Sequence, residues 1–176
     1  MTLPVLTTAR LTIRPLRLDD LDAFAAIFAD AETMAASRRT YSREESRGWI
    51  ERSLMRYERD GFALFAVVRT VDGRYVGDCG PSVQAVDGVD EVEIGWHIRR
   101  DLWGRGYATE AALALRDWAF DDRGLGRLTA FVEPSNVPSC RVAEKIGMRV
   151  ERDAVVFGFL HHVYAMAPGD RVMDRG

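Results

Sequence analysis

The residues best suited to chemistry run Trp103-Gly104-Arg105-Gly106-Tyr107-Ala108-Thr109-Glu110-Ala111, shortly after Ile94-Gly95-Trp96-His97-Ile98. Val92, Ile94, Trp96 and Ile98 alternate with Glu93, Gly95 and His97, which predicts a strand. Ala108, Ala111, Ala112, Leu115, Trp118 and Ala119 then recur at helical spacing. The glycines between them sit where a strand turns into a helix. The first N–H groups of a helix have no acceptor within it and lie at the positive end of its dipole. Glycine lets the chain turn tightly and approach an anion, so the segment has the makings of a phosphate cradle. A turn that uses glycine for geometry alone would read the same way. Two other phosphate loops fit poorly. A Walker loop closes on Gly-Lys-Ser/Thr, where this chain has Gly106-Tyr107-Ala108. A dinucleotide fingerprint needs a third Gly or Ala where Thr109 stands, and roughly seventy residues beyond it are too few for a doubly wound sheet.

The elements that must position this segment can be read along the chain. Leu11 and Ile13 alternate with Arg10, Thr12 and Arg14 in a first strand that Pro15 ends. Asp19 predicts a helix cap before the stripe Leu21, Phe24, Ala25 and Phe28. Ser42-Arg43-Glu44-Glu45 has the form of a capping box, followed by Trp49, Ile50, Ser53, Leu54 and Tyr57 on one face and a stop at Gly61. Residues 62–69 and 75–79 read as strands joined at Asp72-Gly73, and Asp87-Gly88 marks another turn. Residues 128–132, 149–157 and 163–167 read as strands and 139–146 as a short helix stopped by Gly147. Residues 168–176 read as a loose tail. The sum is a single α+β domain over residues 1–176, its core at about 7–167, with a mostly antiparallel sheet.

Length and composition agree with that picture. The 176 residues are 47% hydrophobic and 29% charged, a globular balance with enough chain for one sizeable core. A net charge of −3 gives no bulk attraction to nucleic acid or to an anionic membrane. Cys79 and Cys140 form no CxxC pair, and two cysteines with three histidines suggest no metal site. Nothing requires a disulfide, residues 1–14 lack the apolar run of a secretion signal, and no stretch of about 18 apolar residues could span a bilayer. A reducing cytoplasm is the expected location.

Four segments together resemble the GNAT acetyltransferases, within them the ribosomal-protein-acetyltransferase (RimJ/RimL-like) branch. They are Thr8-Ala9-Arg10-Leu11-Thr12-Ile13-Arg14-Pro15-Leu16, Glu93-Ile94-Gly95-Trp96, the segment from Trp103 to Ala111, and Asn136-Val137-Pro138-Ser139-Cys140-Arg141-Val142-Ala143-Glu144-Lys145-Ile146-Gly147-Met148. They occur in family order over about residues 7–166. The family's acyl-CoA signature often opens with Gln or Arg, and here Trp103 holds that place. The diphosphate is therefore expected to meet the backbone amides of Gly104, Arg105, Gly106, Tyr107, Ala108 and Thr109, with charge added by Arg105.

The resemblance implies the GNAT fold: about seven strands, helices on both faces, and middle strands (92–98 and 128–132) that splay apart. It implies an acyl-CoA-dependent N-acyltransferase that moves an acetyl group from acetyl-CoA to a primary amine, by direct attack through a tetrahedral intermediate. The acceptor could be a protein N-terminus or a small molecule, and a homodimer is compatible. Such chemistry needs a base, oxyanion donors and an acid. Glu93 is the expected base, with Glu91 on the same strand face as its competitor and a salt-bridged carboxylate as the plainer reading of either. Ile98 is expected to lend a backbone N–H to the acyl oxygen. Asn136 and Ser139 match the family's Asn-x-x-Ser, Asn136 for the pantetheine arm and Ser139 for the sulfur; either could simply cap the following helix. Tyr164 is the fallback acid, or a core aromatic. His161 and His162 read as a solvated turn, and Arg38-Arg39 as a solvated charge pair. Two other functions remain open on residues alone: an acyl-CoA sensor without turnover, and an NAD(P)-dependent oxidoreductase using the same glycine turn.

Overall fold

Alternation along the strands sorts their side chains into two main cores, one on each face of the sheet, with a small third cluster of Val86, Ala154, Val156 and Val163. The computed structural model describes residues 3–171. Its strands are β1 (Leu6–Thr7), β2 (Leu11–Pro15), β3 (Phe65–Arg69), β4 (Tyr75–Val86), β5 (Val89–Ile98), β6 (Leu128–Val132), β7 (Arg149–Val156) and β8 (Phe159–Met166). The α-helices are α1 (Leu21–Phe28), α2 (Arg43–Asp60), α3 (Tyr107–Asp121) and α4 (Val137–Lys145). From Phe65, Val67 points with Leu11, Ile13, Cys79, Ile94 and Ile98 toward α3 and α4. Leu64 and Ala66 point the other way and meet α1 and Ile50 of α2. The sheet runs β1-β2-β3-β4-β5-β6-β8-β7, antiparallel throughout except where β5 meets β6.

That exception organises the molecule. β5 and β6 share one parallel bridge, Glu93 with Thr129, and diverge beyond it. The Thr129 hydroxyl secures the joint by donating to the Val92 carbonyl at 3.1 Å. The expected splay is therefore present, in a sheet of eight strands where seven were expected. The additional strand, β1, has two residues, too few to show a period.

Several boundaries also differ. β4 continues past Cys79 to Val86, through Gly80 and Pro81. Proline is tolerated there because its nitrogen faces β3, whose pairing with β4 has already ended at Phe65 with Cys79. α4 begins at Val137, with Pro138 in its first turn where a missing N–H costs nothing. β7 and β8 meet through Phe157-Gly158, both at positive φ (52° and 89°), so β8 starts at Phe159 and not near 163. Within the expected tail, residues 168–170 form a 3₁₀ turn, and Arg171 forks onto Asp121 of α3 at 2.7 and 2.8 Å. Residues 172–176 lie outside the described residues. The capping box of α2 is present: Ser42 accepts from the Glu45 N–H, Glu45 accepts from the Ser42 N–H, and Gly61 ends the helix at φ 77°.

Candidate active site

A turn with two left-handed glycines feeds α3. Gly104 (φ 72°) and Gly106 (φ 81°) occupy a region that other residues enter only with strain, and Gly106 is the N-cap. No heavy atom lies within 4 Å of the place a Gly104 β-carbon would take. Among the described residues, no protein acceptor receives a hydrogen bond from the N–H groups of residues 104–109. Six donors at the positive end of a 15-residue helix are thus left for an anion.

The loop is braced from behind by a segment 95 residues earlier. Arg10 donates from Nε to Glu110 at 2.7 Å and from a terminal nitrogen to the Arg105 carbonyl at 2.9 Å, and its guanidinium lies 4.5 Å from the Tyr107 ring centre. Thr8 Oγ1 and the Arg10 N–H also bond Glu110, at 2.6 and 2.9 Å. With the Arg105 carbonyl held on the Arg10 side, the adjoining amides are left on the other. Trp103 is half-exposed, and its indole N–H donates to the Ile98 carbonyl at 2.7 Å, tying the loop to the end of β5. The Arg105 and Trp103 side chains thus meet different fates: the first is exposed beside the loop, the second is used within the protein.

The gap between β5 and β6 opens beside this loop. The Arg99 N–H bonds the Val76 carbonyl at 2.9 Å, which sets the parity of the β4–β5 ladder. Two and four residues back, His97 and Gly95 also pair toward β4, so the N–H groups of Trp96 and Ile98 point toward β6, into the gap. Ile98 therefore carries a backbone donor on the side the sequence resemblance requires.

Side chains of β5 divide between the faces. Ile94, Trp96 and Ile98 pack toward α3 and α4, and the Trp96 indole N–H reaches Ser139 Oγ at 3.4 Å. Asn136 caps α4 by accepting from the Ser139 N–H at 3.3 Å, so the local reading of Asn136 holds while its amide NH₂ is not used by that cap. Arg116 fixes α4 beside α3 by donating to the Ile146 carbonyl at 2.7 Å. Tyr164 is buried in the same core, where burial first, then Cys140 and Glu144, raise its pKa above the ordinary value.

On the opposite face stand Glu93 and His97. Burial pushes the Glu93 carboxyl up to about 7, against the opposing pull of His97, the Phe131 N–H, Gln84 and Arg56. The Phe131 amide can reach Glu93 because β6 has left the ladder there. Glu91, the competing carboxylate, is held by Arg127 at 3.1 Å in a bridge shared with Glu151. His97 lies directly across from Asp78 on β4, with Nδ1 2.8 Å from Asp78 Oδ1. Asp78 is fully buried and its Oδ2 has no partner among the described residues. Burial works against a charged His97, but the Asp78 carboxylate, aided by Glu93, outweighs it and raises the imidazole pKa above 6.5. The Phe28 and Trp49 rings flank it, 4.8 and 6.5 Å away.

Sequence reasoning placed His97 on the Glu93 face but missed Asp78 as its partner. Arg38 and Arg39 are both exposed, as the solvated reading expects, and each also has a partner: Arg38, at φ 53°, bridges to Glu133 just past β6 (2.8 Å) and stacks on Phe159, and Arg39 pairs with Glu45. The histidines expected in a solvated turn lie within β8: His161 is buried and bonded to the Phe159 carbonyl at 2.9 Å, and His162 meets Asp153 at 2.6 Å. The longer β8 is the reason.

Residues 10–149 match the family model described as an acetyltransferase (GNAT) domain. The uncharacterized protein YkkB of Bacillus subtilis is 32% identical over 148 residues, 84% of this chain and 86% of its own length. A crystal structure of an acetyltransferase from Agrobacterium tumefaciens superposes with a TM-score of 0.81 at 30% identity, covering 94% of this chain and 95% of that one. The ribosomal-protein-S5-alanine acetyltransferase of Vibrio fischeri shares the fold, at TM-score 0.76 and 17% identity over 97% of this chain and all of its own. The four sequence segments and the parted strands thus have one explanation: the chain belongs to the GNAT family and is an acyl-CoA-dependent acetyltransferase.

Proposed function

We propose that the protein acetylates a primary amine, using acetyl-CoA as co-substrate and Glu93 as the base. The observation that carries this reading is the pair of unlike sites that open on one gap: six unbonded amides on the α3 side of β5, and a carboxyl raised to about 7 on the α1–α2 side. The donor set fits coenzyme A, because a diphosphate needs a dense row of N–H groups and a clear approach, and both are present at residues 104–109. Acetyl-CoA supplies an electrophilic thioester carbonyl when bound.

The protein's residues do the rest. Amides 104–109 hold the diphosphate, with Arg105 adding charge, and the Asn136 amide bonds the pantetheine arm. Glu93 takes a proton from the acceptor ammonium, so that a neutral nitrogen attacks. A carboxyl near 7 suits this task, since it is about half ionised at neutral pH and basic enough to hold the proton. The Ile98 N–H, facing the gap, stabilises the oxyanion. Ser139 donates toward the leaving sulfur while itself accepting from Trp96.

The acceptor is a primary amine, a protein N-terminus or a small molecule. A panel of free amines and short peptides, read by release of free thiol from acetyl-CoA, tests the reading. Turnover with at least one amine is expected, and Glu93→Gln should lower it about 10²- to 10⁴-fold with little change in acetyl-CoA affinity. Binding without thiol release across the panel would refute the enzyme reading in favour of a sensor.

A further inference from the structure

We propose that His97, held by Asp78, receives the proton that Glu93 removes from the acceptor and passes it to solvent; the proposal rests on Glu93 being the base.

The two residues share one face of β5, separated by Gly95. No heavy atom lies within 4 Å of the place a Gly95 β-carbon would take, so the face between them is open enough for an amine or a water. His97 is fixed for the task. An ionised Asp78 can only accept, so Nδ1 carries the proton of the 2.8 Å bond, and Nε2 is left as the acceptor. Among the described residues no hydrogen bond engages Nε2. The Phe28 and Trp49 rings limit how the imidazole can tilt.

Asp78 is the second observation. A carboxylate with no exposed surface and a bare Oδ2 is costly unless a cation stands beside it, and a protonated His97 is such a cation. The buried acid therefore favours the state in which His97 has received a proton. The other groups that bear on this pair are Glu93 on β5, Tyr75 on β4 and Tyr57 on α2, with Arg56 acting on Glu93.

The proton balance closes. The acceptor N–H bond breaks as an O–H forms on Glu93. That proton then moves through water to His97 Nε2, giving an imidazolium paired with Asp78, and on to solvent. Glu93 is again a carboxylate for the next ammonium. A second proton, from the attacking nitrogen, leaves with the thiol. A carboxyl near 7 gives the proton up readily at neutral pH, and Asp78 draws it toward His97.

Histidine NMR titration and pH–rate profiles test this together on the full chain. In the free protein, Asp78→Asn should lower the His97 pKa, and Glu93→Gln should lower it by a smaller, measurable amount. In turnover, His97→Gln should reduce kcat about 10²-fold, the low end for a placed proton-transfer group, with acetyl-CoA affinity unchanged. Asp78→Asn should move the acidic limb of the profile to lower pH. If His97→Gln left Asp78 too poorly compensated to fold, the Asp78→Asn/His97→Gln pair would keep a neutral hydrogen bond across the strands and should show the same loss. A His97 titration indifferent to Glu93→Gln, or a His97-variant profile superimposable on the parent, overturns the proposal. Absence of turnover in the parent protein would instead overturn the function beneath it, and the NMR titration distinguishes the two.

Discussion

Replacing Glu93 with glutamine should make the protein less active and, above neutral pH, more stable. A carboxyl whose proton affinity is raised by folding, from an ordinary 4.5 to about 7, favours the folded state only while it is protonated. Below pH 4.5 both folded and unfolded chains carry the proton, and the contribution is fully present. Between 4.5 and 7 the unfolded chain ionises while the folded one does not, so stability falls as pH rises. Above 7 the loss is complete, and at 1.36 kcal/mol for each tenfold in proton affinity it amounts to about 3 kcal/mol. Glutamine has the same shape and no charge to desolvate. Urea unfolding at pH 4.5 and pH 8, for parent and Glu93→Gln, measures the difference directly. The two proteins should match at pH 4.5, and the variant should gain about 3 kcal/mol at pH 8, or roughly 6–12 °C in Tm for a chain of this size. His97, whose pKa folding also raises, likewise gives up stability as pH rises, so the parent's loss carries a contribution of the same sign from it. Equal stabilities at pH 8 would show that Glu93 is not strained in the resting fold, and would remove the ground for its basicity.

Two further outcomes concern the glycine loop proposed to hold the diphosphate. Gly104→Glu should abolish acetyl-CoA binding by calorimetry, since it sets a carboxylate beside the anion's donors, where no heavy atom lies within 4 Å of the new β-carbon, and should cost the unliganded fold about 1–2 kcal/mol for a side chain at φ 72°; affinity within a factor of two of the parent would refute the cradle. Arg10→Ala removes the brace on the Arg105 carbonyl and Glu110 without touching the cradle's own donors, so KM for acetyl-CoA should rise about fivefold, as for the loss of a well-made exposed ion pair, with kcat retained.

Much of this arrangement is legible in the order of residues. The strand at 92–98 declares itself because apolar residues alternate with Glu93, Gly95 and His97, and the glycine turn because its conformations exclude other residues. What could not be read from one strand at a time was pairing. The strand at 75–79 reads no further than Cys79, which gives Asp78 a neighbour in residues 62–69 and none in residues 92–98. The signal was nevertheless present. Asp87-Gly88, at φ 53° and 78°, makes a two-residue hairpin turn that pairs Val86 with Val89. Counting outward from that turn brings Asp78 opposite His97. Phe157-Gly158 makes a similar turn and was less visible, because phenylalanine seldom accepts a positive φ. The bracing of the glycine loop by Thr8 and Arg10 lay beyond reach for another reason. Contacts across roughly a hundred residues follow from the sheet's order, and no local period records them.

A single strand can serve both substrates because β-structure assigns successive residues to opposite faces. Glu93 and His97 fall on the α1–α2 side, and Trp96, which reaches Ser139, on the α3–α4 side. In a closed sheet these groups would be isolated from each other by a wall of backbone hydrogen bonds. The divergence of β6 after one bridge removes that wall only where the two sets meet. It also leaves N–H groups aimed into the gap from both sides: that of Phe131 turns to Glu93, and those of Trp96 and Ile98 point toward β6, where the acyl oxygen is proposed to come. Unpaired backbone donors in a protein interior are costly unless something fills the place. Here a carboxylate takes one of them, and the proposed acyl oxygen would take that of Ile98.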